Sequence, residues 1–180
     1  MKYFLLAFAI WLLPFCARIP MNFSQEIPEE KTGSGNHVIE AIQDAWKAND
    51  NDKAFILIFA TNIKGCAINV CGGALLGIGT VANLAINGFA ASDAFVCSYE
   101  SGFSIKNILK TTLPHSPELI GFWLSGAMGF MIAWQLVLFM RGKESWSKGF
   151  LKRMCIYAIC VFLIILCSAY IEAHISINMV

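Results

Sequence analysis

The sequence predicts an all-α protein: a polytopic membrane helix bundle of about five transmembrane helices with short interfacial helices between them. Three observations carry this prediction. Of the 180 residues, 57% are hydrophobic and only 14% charged, with a mean hydropathy of +0.63; soluble domains carry about 25% charged residues. Several apolar runs approach the ~20 residues that a bilayer-crossing helix needs. The remaining charges separate by sign, one loop basic and another acidic, as expected where positive loops stay inside. Net charge is +1 and no basic stretch resembles a nucleic-acid footprint, so a nucleic-acid partner is excluded.

Residues 3–19 (YFLLAFAIWLLPFCARI) are apolar but short and contain Pro14. A signal peptide is the competing reading, but Phe15 occupies a position where cleavage wants a small residue. An uncleaved first helix is therefore favoured. PEEKTGSGN (28–36) is a turn-rich linker. In 37–49, Ile39, Ile42 and Trp46 recur at helical spacing and predict an amphipathic surface helix. Residues 54–76 and 80–98 are the second and third spans, joined by LGIGT, where Gly77 and Gly79 permit a tight reversal. Ser104 is placed to cap another short helix with Ile105, Ile108, Leu109 and Thr112 on one side, ending at Pro114. Residues 118–140 and 154–176 complete the five.

RGKESWSKGFLKR (141–153) holds five basic side chains against one acidic, which sets it in the cytoplasm. The acidic segment 20–53 and the C-terminus then lie outside, and Lys2 inside: N-in, C-out. Residues 1–53 form an N-terminal span with its acidic loop, and 54–180 a four-helix core. Seven cysteines, most in apolar runs and without C-x-x-C or zinc spacing, read as packing residues.

Lipid gives helices no hydrophobic reason to associate, so close packing relies on small side chains. Gly65, Gly73 and Gly77, with Thr61 and Asn69, recur every four residues in the second span. Gly121, Ser125 and Gly129 do so in the fourth, and Thr80, Asn83, Asn87 and Ala91 share a face of the third. These stripes predict helix packing. Asn62, Asn69, Asn83 and Asn87 inside spans predict a polar interior. Lys64 stands near mid-span, where a charge costs about 2.5–3.5 kcal/mol. Asp93, His115, Glu118, Glu172 and His174 fall near the outer ends. The expectation is one polar cluster on the extracytoplasmic side, with Lys64 compensated by Asp93, Glu118 or Glu172. A structural ion-pair network is the preferred reading, beside a proton relay or a metal bound by His115 and Glu118. No catalytic triad, P-loop or dinucleotide motif appears, so no catalytic residue, metal or cofactor is assigned and the chain is not expected to be an enzyme.

Four segments, TNIKGCAIN, GGALLGIGTVANLAINGF, LPHSPELIGFWLSGAMG and SAYIEAHI, together resemble the stage II sporulation protein M (SpoIIM) family over residues 55–176. The positions that carry it are Asn62, Gly73, Gly77, Asn87, Gly88, Pro114, His115, Glu118, Gly126, Gly129 and Glu172. Two departures stand out: Ser116 replaces the glycine that follows the family's histidine, and the step from His115 to Glu118 is one residue shorter and filled by Pro117. The resemblance implies a multi-pass protein of the bacterial cytoplasmic membrane. In spore formers such a protein works with two cell-wall-degrading partners; relatives accompany maturation, export or immunity of cyclised bacteriocins. The resemblance thus implies a non-enzymatic scaffold in membrane lipid for extracytoplasmic proteins. The alternative is a transporter-like peptide-export component beside an ATPase. A homo-oligomer is compatible with either.

Overall fold

The computed structural model describes residues 1–21, 34–112, 116–143 and 146–174, and among these it is all-helical. Seven α-helices follow in order: α1 Lys2–Arg18, α2 Ser34–Lys47, α3 Asn51–Gly72, α4 Ile78–Glu100, α5 Ile105–Thr112, α6 Ser116–Met140 and α7 Lys148–His174. A 3₁₀ turn, Gly73–Leu75, extends α3. Pro114 and His115 lie outside the described residues, as does most of the 28–36 linker.

Local chemistry sets the helix ends. The Asp50 carboxylate accepts from Lys53 N–H at 3.0 Å and caps α3. Ser104 Oγ accepts from Asn107 N–H at 3.3 Å at the start of α5. Pro117 falls in the first turn of α6, where its missing N–H forfeits no helical bond. Ser147 Oγ accepts from Phe150 N–H at 3.1 Å, so α7 begins at Lys148 rather than near residue 154. Lys148, Lys152 and Arg153 therefore ride on the first turns of a helix, not in a loop.

Three helices are long and apolar enough to cross a membrane: Asn51–Leu75, Ser116–Met140 and Lys148–His174. The expected five become three on this measure, for two reasons. α1 has 17 residues, about 26 Å at 1.5 Å per residue, slightly short of a ~30 Å hydrocarbon core. α4 is long enough at 23 residues, but Thr80, Asn83, Asn87, Ser92 and Asp93 dilute its hydropathy.

The long helices pack side by side with alternating direction. α3 and α4 form a hairpin whose reversal needs Leu76 at φ 54° and Gly77 at φ 86°. α6 runs parallel to α3, with Asn62 beside Glu118, Asn69 beside Ser125 and Gly73 beside Gly129. α7 runs antiparallel to both: Ala169 and Ala173 meet Ala54 and Ile58, while Val161 and Ile165 meet Cys66 and Met128. α1 runs parallel to α4, with Ala7 packed on Leu84, Trp11 on Gly88 and Arg18 on Asp93. α2 covers one end through Ala45, Ile42 and Trp46, which sit on Ala54, Ile58, Ala169 and Ala173. In α5, Ile108 alone of the expected apolar set is buried; Ile105 and Leu109 are exposed.

Small residues set these separations. A Cβ on Gly73 would overlap the backbone carbonyl of Gly129, and one on Gly129 the carbonyl of Asn69. A Cβ on Gly88 would overlap the carbonyl of Trp11. Gly72 and Gly79 face one another across the hairpin, and Gly65 meets the ring of Phe122. Gly121 lies against Ile165. Overfilling a packed interior costs about 1–3 kcal/mol. Gly73→Ala and Gly129→Ala are expected to lower thermal stability by that order in detergent. Gly149→Ala, with only Ser147 Oγ nearby at 3.9 Å, is expected to stay within about 0.5 kcal/mol of wild type.

Candidate functional site

On α3, Asn62, Gly65, Asn69 and Gly72 recur at steps of three and four and share one face. Thr80, Asn83 and Asn87 do the same on α4, and Glu118, Phe122, Ser125 and Gly129 on α6. The three faces meet in a continuous polar seam. Asn69, fully buried, is its hub. Its Nδ2 donates to Ser125 Oγ at 3.0 Å and to the carbonyl of Phe122 at 3.2 Å; its Oδ1 accepts from Asn83 Nδ2 at 2.8 Å. Its backbone carbonyl accepts from Thr80 Oγ1 at 2.7 Å. Asn83 also donates to the carbonyl of Gly65 at 3.1 Å. Asn87 Nδ2 continues the chain to the carbonyl of Asn83 at 2.8 Å and its Oδ1 at 3.2 Å. On the other side, Asn62 Nδ2 donates to Glu118 Oε2 at 2.6 Å.

Beside the seam lies a cavity of about 240 Å³, lined by Asn62, Asn87 and Glu118 together with Trp11, Phe122 and Ile165. It draws on α1, α3, α4, α6 and α7.

Among the described residues, Asp93, Asp52 and Glu118 have separate partners, and His115 lies outside the described residues. Asp93 pairs with Arg18, which sequence reasoning did not single out: Nε and Nη2 both approach Oδ1 at 2.7 Å, and Nη1 donates to the carbonyl of Met21 at 2.7 Å. Arg18 is 2% exposed while Asp93 is 44% exposed. A lone arginine closing an apolar helix was the available signal. His174 Nε2 lies 3.6 Å from Asp52. Glu172 is buried in the last turn of α7, beside Ala173 of the α2–α3–α7 contact. Among the described residues no three His, Cys, Asp or Glu side chains converge on a metal-sized site.

Lys64 departs from the expectation. It is exposed on α3 and forms no ion pair with Asp93, Glu118 or Glu172 among the described residues. The reason is angular. Two residues on from Asn62 is a rotation of about 200°, so the face that sends Asn62 inward sends Lys64 out of the bundle.

The model of the family described as stage II sporulation protein M matches residues 3–177, nearly the whole chain. This chain belongs to the SpoIIM family. The match reaches beyond the motif-bearing segments to include α1, so Trp11 and Arg18 stand within the family region. No curated protein and no solved structure matches the chain. Of the residues that carry the resemblance, Asn62 and Glu118 bond directly, Gly73 and Gly129 touch, Gly77 makes the reversal, and Gly88 seats α1.

A buried polar atom that loses its partner costs about 1–3 kcal/mol. Asn69→Ala strands partners on α4 and α6 together, and is expected to destabilise by at least that much in a melting experiment. Thr61→Ala, exposed and bonded only to Leu57 of its own helix at 2.8 Å, is expected to be near neutral. A double-mutant cycle on Arg18→Met and Asp93→Leu is expected to return a favourable coupling on the order of 0.5–3 kcal/mol.

Proposed function

We propose that this SpoIIM-family chain crosses the bacterial cytoplasmic membrane five times, N-in and C-out, as a non-enzymatic anchor for extracytoplasmic partners such as cell-wall-remodelling proteins. The alternating directions of α1, α3, α4, α6 and α7 support five spans, since α1 and α4 lie alongside the three apolar helices. Lys2 lies within 6.0 Å of the Trp134 ring, which brings the N-terminus to the end of the bundle that carries Arg141, Lys143 and Lys148. That end is the cytoplasmic one by the positive-inside rule. Asp44, Asp50 and Asp52 mark the opposite end.

The observation that carries the anchoring role is Lys64. Intramembrane charges ordinarily face a bundle interior or find a partner; this one faces outward at mid-span. Helical side chains lean toward the helix N-terminus, which aims the Lys64 ammonium at the outer end of α3. A carboxylate on a partner's membrane segment fits it. At that same outer end, α2 turns Glu40, Gln43, Asp44 and Lys47 to water while its apolar face holds the bundle. An exposed, fixed helix of this kind suits recognition of a partner's soluble part.

The second reading is a transporter-like component for peptide export, maturation or immunity beside an ATPase. The cavity beside Glu118 favours it. Brief cross-linking in native membranes, followed by recovery of this chain, separates the two. The expected companion is a wall hydrolase or its membrane anchor, and Lys64→Leu is expected to lower its recovery about tenfold, equivalent to about 1.4 kcal/mol, without lowering the chain's own abundance. Recovery of an ATPase or a small cationic peptide would replace the anchor with the exporter.

A further inference from the structure

At the end of the bundle that carries the basic residues, a cleft of about 810 Å³ opens between the last turns of α6 and the start of α7. Its chemistry changes with height. Gln135, Leu138 and Phe139 line it along α6, and Lys143, Trp146 and Ser147 line it beyond the end of that helix. Gln135 precedes the last residue of α6 by five positions, about 7.5 Å at 1.5 Å per residue. The head-group layer on each side of a ~30 Å hydrocarbon core is about 5–7.5 Å thick. The cleft therefore stands where polar lipid head meets acyl chain. Phe139 and Trp146, 64% and 48% exposed, are the aromatic side chains that such a boundary favours. Lys143 is exposed, as are Arg141, Lys148, Lys152 and Arg153 on the adjoining turns. Among the described residues no acid pairs with any of the five. Segment 141–153 holds five basic side chains against one acidic, so it stays positive whatever Glu144 meets. Ser147 Oγ caps Phe150 N–H, which leaves the N–H groups of Lys148 and Gly149 without a helical acceptor. The start of this 27-residue helix also carries partial positive charge. Gln135 Oε1 is buried without a partner, so its amide has hydrogen-bonding capacity that the protein does not use.

We propose that this cleft holds the head group of one anionic phospholipid, its phosphate at Lys143 and the first turn of α7, its glycerol esters beside Gln135 and its first acyl carbons on Leu138 and Phe139. Basic pockets between membrane helices suit such head groups. A volume of about 810 Å³ falls within the ~300–1,000 Å³ of small-molecule sites. A zwitterionic lipid matches less well, because its ammonium meets the positive excess of the same segment. A free phosphate ion matches less well too, because it leaves Leu138 and Phe139 uncovered. The inference needs α6 and α7 to span a membrane; it depends neither on their orientation nor on the anchoring role.

The test titrates the full-length chain, in dodecyl maltoside micelles, with phosphatidylglycerol or with phosphatidylcholine of the same acyl chains, and counts bound lipid by native mass spectrometry. The expected result is one saturable phosphatidylglycerol, with phosphatidylcholine weaker by about tenfold. Lys143→Gln is expected to weaken phosphatidylglycerol about fivefold, about 1 kcal/mol, and Lys143→Arg to keep it. Lys106→Gln removes the same charge from exposed α5 at the opposite end of the bundle and is expected to leave the affinity unchanged. Inorganic phosphate at constant ionic strength is expected not to displace the lipid. Equal binding of the two lipids overturns the proposal. So does displacement by inorganic phosphate, which marks a free-anion site, or an equal loss in Lys143→Gln and Lys106→Gln, which marks unspecific charge attraction.

Discussion

Everything in this bundle depends on finding hydrogen-bond partners for amides that water cannot reach. Asn69 is the clearest case. It has no exposed surface, and it meets the need by joining α3 to α4 and α6 at once. Asparagine has two donors and two acceptor sites in one flat group, so it can serve as a junction where serine or threonine would serve as a link. Interhelical bonds in membranes are individually modest, about 0.6–2 kcal/mol. Their effect here comes from convergence: displacing one helix breaks bonds at several side chains together.

The seam and the glycines are one device. Asn83 and Thr80 reach the main-chain carbonyls of α3, not only its side chains. Such bonds need close backbones: Gly72 and Gly79 provide that approach between α3 and α4, and Gly73 and Gly129 provide it between the end of α3 and α6. Where the helices separate again, toward Glu118 and Asn87, the same polar faces border open volume instead of each other. The cavity is thus the place where the seam stops being zipped by glycine.

Much of this was legible in sequence because membranes leave few choices. Long apolar runs must be helices, and stripes of small residues at steps of three and four must face other helices. The polar interior followed from four asparagines inside apolar runs. Four features were less legible. A stripe drawn every four residues drifts around a helix of 3.6 residues per turn, so Thr61 was grouped with Gly65 and Asn69 yet lies exposed. Lys64 was placed among the acids because depth can be read from position, whereas facing requires the angle. Arg18 went unnoticed because its partner lies 75 residues away, and an arginine closing an apolar run does not say which acid it meets. Likewise α4 is hard to recognise as a span by hydropathy, since four of the residues that dilute it, Thr80, Asn83, Asn87 and Ser92, are buried or half-buried in the bundle.

The hydrogen bonds of the seam also carry a timetable. Asn83 and Asn69 are 14 residues apart, and Thr80 reaches back only 11. The bonds from α3 to α6 span 56 residues, and the pair that holds α1 spans 75. As the chain leaves the ribosome, the α3–α4 hairpin has both of its partners before α6 exists. Asn69 Nδ2, Asn62 and the carbonyl groove of the glycines then form a prepared edge on which α6 docks. α1 behaves differently: although made first, it cannot bury Arg18 until Asp93 arrives near the end of α4. Of these bonds, the one that holds α1 therefore closes the longest stretch of chain.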